Sequence, residues 1–435
     1  IVKEALAPSY ETIKRLNLDL EEILDERVRN ISSLANYEEC YIVLYTTPAS
    51  LVKHEIKQEV SDKKKMRMNM KAPLKYSQDP FAGNGLLQNT HTAYVDKIYE
   101  MLGSNVGISC EKLSVYDAAR EVRRSIDDEY TANDWLPSLP GDPISPSVRK
   151  DAHKSEDWDI VWPKLSWQVA PRDAEIIDNK LVRIGEKIYC PGYIDLMPKE
   201  IFPFSSLFNS IGKKYPWRIS FFVESDGISA VTSRAVFASI LGFVSGSNKL
   251  LNQGVKDLRE MRDSYNVTVA RLRVSFCTWG HKDKVDKVLA SGTELANSIS
   301  SWGSAQVSEV TGDPLAGVIS SALGATRSSV ATLSAVPLDA IPFMAPFSRP
   351  SSPWRNGSVL FLSPDYKLMP YQPGSSLQTT WIQLIFAKPG SGKSVLMNIT
   401  NLALCLAPGI ERLPRIGIVD IGPSSSGLVS LLKEA

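Results

Sequence analysis

Eight consecutive residues constrain this chain more than any other passage: Ala387-Lys388-Pro389-Gly390-Ser391-Gly392-Lys393-Ser394. They fit the Walker A pattern, with alanine where the first glycine often stands. The setting fits as well. Trp381-Ile382-Gln383-Leu384-Ile385-Phe386 reads as an apolar strand before the loop, and Val395, Ile399, Leu402 and Leu406 recur at helical spacing after it. Glycines at 390 and 392 let the backbone wrap closely, so that N–H groups point at phosphate oxygens. Lys393 supplies positive charge for β- and γ-phosphates, and the Ser394 hydroxyl is a ligand for Mg²⁺. Ala387, Lys388, Pro389, Gly390, Ser391, Gly392, Lys393, Ser394 and Val395 are therefore the candidate nucleotide-binding residues, with ATP and Mg²⁺ as the expected cofactors. The alternative is a chance glycine turn, which the strand–loop–helix setting disfavours.

A second apolar run, Ile416-Gly417-Ile418-Val419, ends at Asp420. It resembles a Walker B strand, whose carboxylate holds Mg²⁺ through water. Two features oppose that assignment. Asp420 follows the loop closely, and Ile421 stands where many ATPases place the catalytic glutamate. Asp420 is thus either a second metal ligand beside Ser394 or a strand-end carboxylate capping the turn at 423–427. The residues after Ser394 are too few for a parallel sheet of about five strands. The true Walker B strand, the catalytic glutamate and any arginine finger are expected beyond Ala435. No catalytic residue is assigned within the sequence, which is not expected to hydrolyse ATP by itself.

The rest of the chain reads as α+β. Residues 1–130 are a helical and mixed subdomain, with an apolar stripe of Leu16, Leu20, Ile23, Leu24, Val28 and Ile31 and a buried strand at Tyr41-Ile42-Val43-Leu44-Tyr45. Further helices are expected near 50–60, 92–102 and 115–126. Residues 131–171 form a connector rich in proline and tryptophan. Residues 172–375 form an α+β subdomain, with strands expected at 181–188, 217–223, 267–276 and 359–362 and helices at 230–263 and 282–302. Residues 376–435 begin the loop-bearing domain. The fold class expected is an α+β N-terminal region followed by the first part of a RecA-like α/β P-loop domain.

Composition narrows the function classes. Lys and Arg number 49 against 48 Asp and Glu, a net charge of +1, which argues against a dedicated nucleic-acid binder gripping phosphates. Five scattered cysteines and four scattered histidines show no CxxC pair and no zinc-like spacing. No passage is long and apolar enough to span a membrane as a helix. Three other clusters have plain readings. Lys63-Lys64-Lys65-Met66-Arg67 is a solvated helix end before it is a lipid contact, and Asp127-Asp128-Glu129 is a helix end before it is a catalytic site. Trp158, Trp162 and Trp167 pin the connector to its own domain before they anchor a partner.

A P-loop placed after so long a mixed region is unusual for a kinase or GTPase. The chain resembles the VirB-class ATPases of type IV secretion systems. The likeness rests on 40–48 with the helix that follows, on Leu338-Asp339-Ala340-Ile341-Pro342 through Phe347-Ser348-Arg349-Pro350 and Trp354-Arg355-Asn356-Gly357, and on the loop followed by Asp420-Ile421-Gly422. The resemblance implies a homo-oligomer, a hexamer, at the cytoplasmic face of a bacterial inner membrane. It implies other secretion ATPases and inner-membrane components as partners. A ring-shaped ATPase translocating DNA in conjugation or segregation is the alternative, so DNA stays open as a partner. A third reading is a docking platform that carries a mobile ATPase domain.

Overall fold

A computed structural model describes residues 2–47, 50–68, 85–106, 108, 110–139, 142, 163–198, 200–212, 214–229, 246–349, 351–419 and 422–435. The protein is mixed α and β with an antiparallel sheet. It divides into two compact units, residues 41–347 and residues 1–40 with 348–435.

Among the described residues, the larger unit is built on a seven-stranded sheet of β1 (Ala174–Ile176), β2 (Val182–Ile184), β3 (Lys187–Leu196), β4 (Trp217–Glu224), β5 (Val269–His281), β6 (Gln306–Ser308) and β7 (Ser334–Pro337). The order is β1-β2-β3-β5-β4, and every pairing is antiparallel. β6 extends the pairing of β3, and β7 that of β5. The two-residue period of β5 distributes its side chains. Ala270, Leu272, Val274 and Phe276 enter one core with Ile194, Leu207 and Ile299, while Cys277 enters another with Ile126, Tyr189 and Val318.

The helix Val285–Ser301 buries Val288, Leu295, Ala296 and Ile299, the spacing that aims one helical face at a sheet. Close approach is possible because position 292 is glycine: a Cβ there would lie 2.4 Å from Cys190 Sγ. The expected strands at 217–223 and 267–276 and the helix at 282–302 are thus present with shifted ends, whereas the single strand expected at 181–188 is divided by a turn at Gly185 (φ 58°) into β2 and the start of β3. The helix expected at 230–263 is observed as Gly246–Tyr265, and residues 230–245 lie outside the described residues.

The strand expected at 41–45 does not form. Residues 41–47 carry no strand, and Ile42 and Val43 are each 42% exposed. Side-chain tips tether this passage instead of a backbone ladder. Tyr41 donates to Glu121 Oε2 (2.9 Å), and Tyr45 donates to Thr326 O (3.3 Å) while its ring lies 6.0 Å from Phe222.

The smaller unit joins the helices Val2–Ala5, Ala7–Leu16 and Glu21–Leu34 to a hairpin of β8 (Val359–Leu362) and β9 (Leu368–Tyr371) and to the helix Lys393–Cys405. Leu6, Tyr10, Ile13, Leu20, Leu24, Leu360 and Leu406 share its core. The N-terminal apolar stripe therefore runs through separate helices. Asn17 in the left-handed region (φ 52°) ends the second of them, with its amide and that of Leu18 turned back to Lys14 O and Ile13 O.

All five cysteines are free thiols, Cys40 exposed and Cys190, Cys277 and Cys405 buried. Burial pushes the Cys190 thiol up to about 12 and the Cys277 thiol up to about 11. Both therefore stay protonated and inert near neutral pH. With a maleimide at pH 8, Cys40 is expected to label within minutes and Cys190 and Cys277 only on denaturation. Mass spectrometry of the labelled peptides checks this, and labelling of Cys190 at the rate of Cys40 would contradict the buried core.

Candidate functional site

The loop expected from the sequence has the backbone that its glycines demand. Gly390 and Gly392 stand at φ 80° and φ 88°, the left-handed region that side-chain-bearing residues rarely adopt. A Cβ at either would meet nothing within 4 Å, so backbone conformation rather than crowding requires glycine here. Gly392 is the N-cap of the 13-residue helix Lys393–Cys405. The first bond of the helix ladder runs from Leu396 N to Gly392 O (2.9 Å). The amides before it have no carbonyl a turn behind them, as at any helix start, and the helix dipole adds partial positive charge there.

Lys393 bends back over the loop. Its Nζ donates to Ala387 O at 2.7 Å and to Lys388 O at 3.0 Å. Ser391 Oγ donates to Lys388 O (2.7 Å), which tightens the same turn. The structure thus gathers residues 387–393 around one turn, with the ammonium and the helix start on it. Ser394 and Val395 are exposed in the first turn of the helix. Residues with this arrangement fit a polyphosphate: amides and a lysine for its anionic oxygens, and a hydroxyl for a hard cation.

The passage before the loop departs from expectation. Residues 381–386 carry no strand, and Trp381, Ile382 and Leu384 are each 76% exposed and Phe386 86%. Among the described residues no strand pairs with them, so an apolar sequence alone does not make a ladder. Residues 416–419 likewise carry no strand, and Asp420 lies outside the described residues. Among the described residues, no group of three or more His, Cys, Asp or Glu is arranged to hold a metal ion. A Mg²⁺ bound mainly through phosphates and one hydroxyl needs no such cage.

A groove of about 450 Å³ opens beside this helix, lined by Trp354, Phe361, Tyr371, Ile385 and Leu396 among others. Trp354 and Tyr371 meet edge to face with ring centroids 5.1 Å apart. Tyr371 Oη accepts from Gln378 Nε2 (3.0 Å) and from Gln383 Nε2. Both flanks of the loop, at Ile385 and Leu396, thus border one aromatic surface. Sequence reasoning missed it, because its rings come from separate passages with no shared motif.

The acidic and basic clusters take their plain readings, whereas Trp167 does not pack in the way a pinned connector requires. Asp127 pairs with Arg172 and Asp128 with Lys187, so the carboxylates at 127–129 are engaged in ion pairs at the end of the helix Val115–Ile126. Lys63 pairs with Glu59 (3.2 Å) and Lys65 with Asp62 (3.6 Å) along the helix Lys53–Met68. Trp167 is 67% exposed under Lys164, and Trp158 and Trp162 lie outside the described residues. No helix among the described residues is long and apolar enough to cross a membrane. No protein-family profile matches the chain, and no curated protein does so.

Proposed function

We propose that the chain binds ATP with Mg²⁺ at residues 387–395 and serves a motor ATPase of type IV secretion, of the VirB class and resembling DotO of the Dot/Icm system. The observation that carries the reading is the loop itself, two left-handed glycines feeding a helix whose first residue, Lys393, folds over them. Lys393 and the amides at the helix start would hold the β- and γ-phosphates, and Ser394 the Mg²⁺. Bound ATP supplies the phosphoanhydride whose hydrolysis drives such a motor. The aromatic groove along the same helix suits a nucleobase. Residues 381–386 would be the first strand of a RecA-like α/β sheet, and their exposed apolar side chains the faces that flanking helices cover.

The resemblance adds the setting: a hexamer at the cytoplasmic face of a bacterial inner membrane, working with other secretion ATPases and inner-membrane components. It would power assembly of the apparatus or export of substrate. A net charge of +1 favours this over a DNA-translocating ring, and strictly DNA-dependent hydrolysis by the assembled motor would reverse that preference.

Calorimetric titration of the chain with ATP tests the site. Binding is expected to tighten with Mg²⁺, and Ser394→Ala should remove about tenfold of that gain, the worth of one hydrogen-bond-scale ligand. ATP affinity that ignores both Mg²⁺ and the substitution would sink the reading.

A further inference from the structure

The helix Lys393–Cys405 is open at one end and clamped at the other. Its loop end is exposed, whereas Ala403, Cys405 and Leu406 at the far end are buried. A helix leaves its last carbonyls without intrahelical donors, and buried carbonyls require partners. Here the C-cap carbonyl of Leu406 and the half-buried carbonyl of Ala407, one residue beyond the cap, are met by side-chain hydroxyls remote in sequence. Thr12 Oγ1 lies 3.1 Å from Ala407 O, and Ser358 Oγ lies 3.1 Å from Leu406 O. Thr12 is fully buried, as is Ser9, whose Oγ donates to Ser358 Oγ at 2.9 Å.

Each clamping hydroxyl has one proton and two acceptors. Thr12 Oγ1 is also 3.1 Å from Pro8 O in its own helix, and Ser358 Oγ is 2.9 Å from Gln372 Oε1 on the hairpin side. A shift of the helix end can therefore pass either proton from one acceptor to the other without leaving the hydroxyl unsatisfied. Such a pair of alternatives is what a two-position contact needs. The helix between clamp and loop is about 20 Å of continuous hydrogen-bonded backbone.

We infer that Thr12 and Ser358 are positioning residues of the nucleotide site, acting through this helix and passing nucleotide occupancy to the helix Ala7–Leu16. The inference rests on residues 387–395 binding nucleotide. Coupling is reciprocal, so a clamp that sets the loop must also feel the ligand.

Hydrogen exchange of the full chain with and without Mg²⁺-ATP tests both directions. In the unsubstituted chain, ATP should slow exchange in residues 388–396 and also, by about fivefold, in residues 7–16. Thr12→Val and Ser358→Ala should lose the distant protection and bind ATP about fivefold more weakly, and Thr12→Ser should restore both. Protection confined to 388–396 in the unsubstituted chain would overturn the clamp while leaving the site intact, even if a variant failed to fold. Absence of ATP-dependent protection everywhere would instead remove the nucleotide site and the clamp together.

Discussion

Lys393→Ala is expected to weaken ATP binding about ten- to a hundredfold while leaving the fold in place. The ammonium makes two hydrogen bonds, both to carbonyls of its own loop, at Ala387 and Lys388. Those carbonyls belong to exposed residues, so water replaces the lost donor and stability should change by no more than about 0.5 kcal/mol. A bound phosphate has no such substitute. A charge-assisted hydrogen bond to it is worth about 1.5–3 kcal/mol, and each 1.4 kcal/mol is tenfold in affinity. The two effects separate by experiment: calorimetry should show the loss of affinity, and thermal unfolding of the ligand-free protein should show an unchanged midpoint. In a working secretion system the same substitution should end export. Unaltered ATP affinity would mean that the loop is only a glycine turn.

The parts of this protein that follow a local period were legible. β5 alternates only over residues 270–274, before a stretch buried on both faces, and the helix Val285–Ser301 repeats every three to four residues because it packs one face on the sheet. The loop was legible too, since its glycines answer a backbone requirement that no other residue meets cheaply. Passages at 41–47 and 381–386 have strand-like composition but no ladder. Pairing depends on a neighbouring strand, which composition does not report. Nor does any local pattern announce that Ser9 and Thr12 are buried. They sit on a helix that also carries Lys14 and Arg15, and only the fold turns them towards Ser358 and the end of the helix Lys393–Cys405. The union of residues 1–40 with 348–435 is illegible for the same reason, being made of contacts more than three hundred residues apart, such as Ser9 with Ser358.

That union supplies the other large expected effect. Arg349 pairs with Glu38 and with Asp365, and Lys367 Nζ lies 2.8 Å from Glu38 Oε1. The Arg349 side chain is only 5% exposed, so its charge is stable there because carboxylates compensate it. Arg349→Met keeps the apolar stem but leaves Glu38 and Asp365 facing each other with one cation fewer. Removing one partner from a buried pair costs about 3–5 kcal/mol, and the partial exposure of these carboxylates puts the expected loss near 3 kcal/mol. Exchange of the β8–β9 amides reads this directly, as a drop in the free energy of opening that region. The effect should depend on pH with a definite sign. Burial pushes the Asp365 carboxyl up, but hydrogen bonds from Ser363 and Arg349 outweigh it and hold it below the usual carboxylate range. A depressed carboxyl contributes stability that is present above its unfolded value, about 3.9, and is lost as pH falls through the folded value. The gap between Arg349→Met and the unsubstituted chain should therefore be widest at neutral pH and narrow below about pH 4, where protonation removes from the unsubstituted chain the pair that the variant already lacks. A gap that stays constant down to pH 3 would show that Arg349 acts through the packing of its stem and not through its charge.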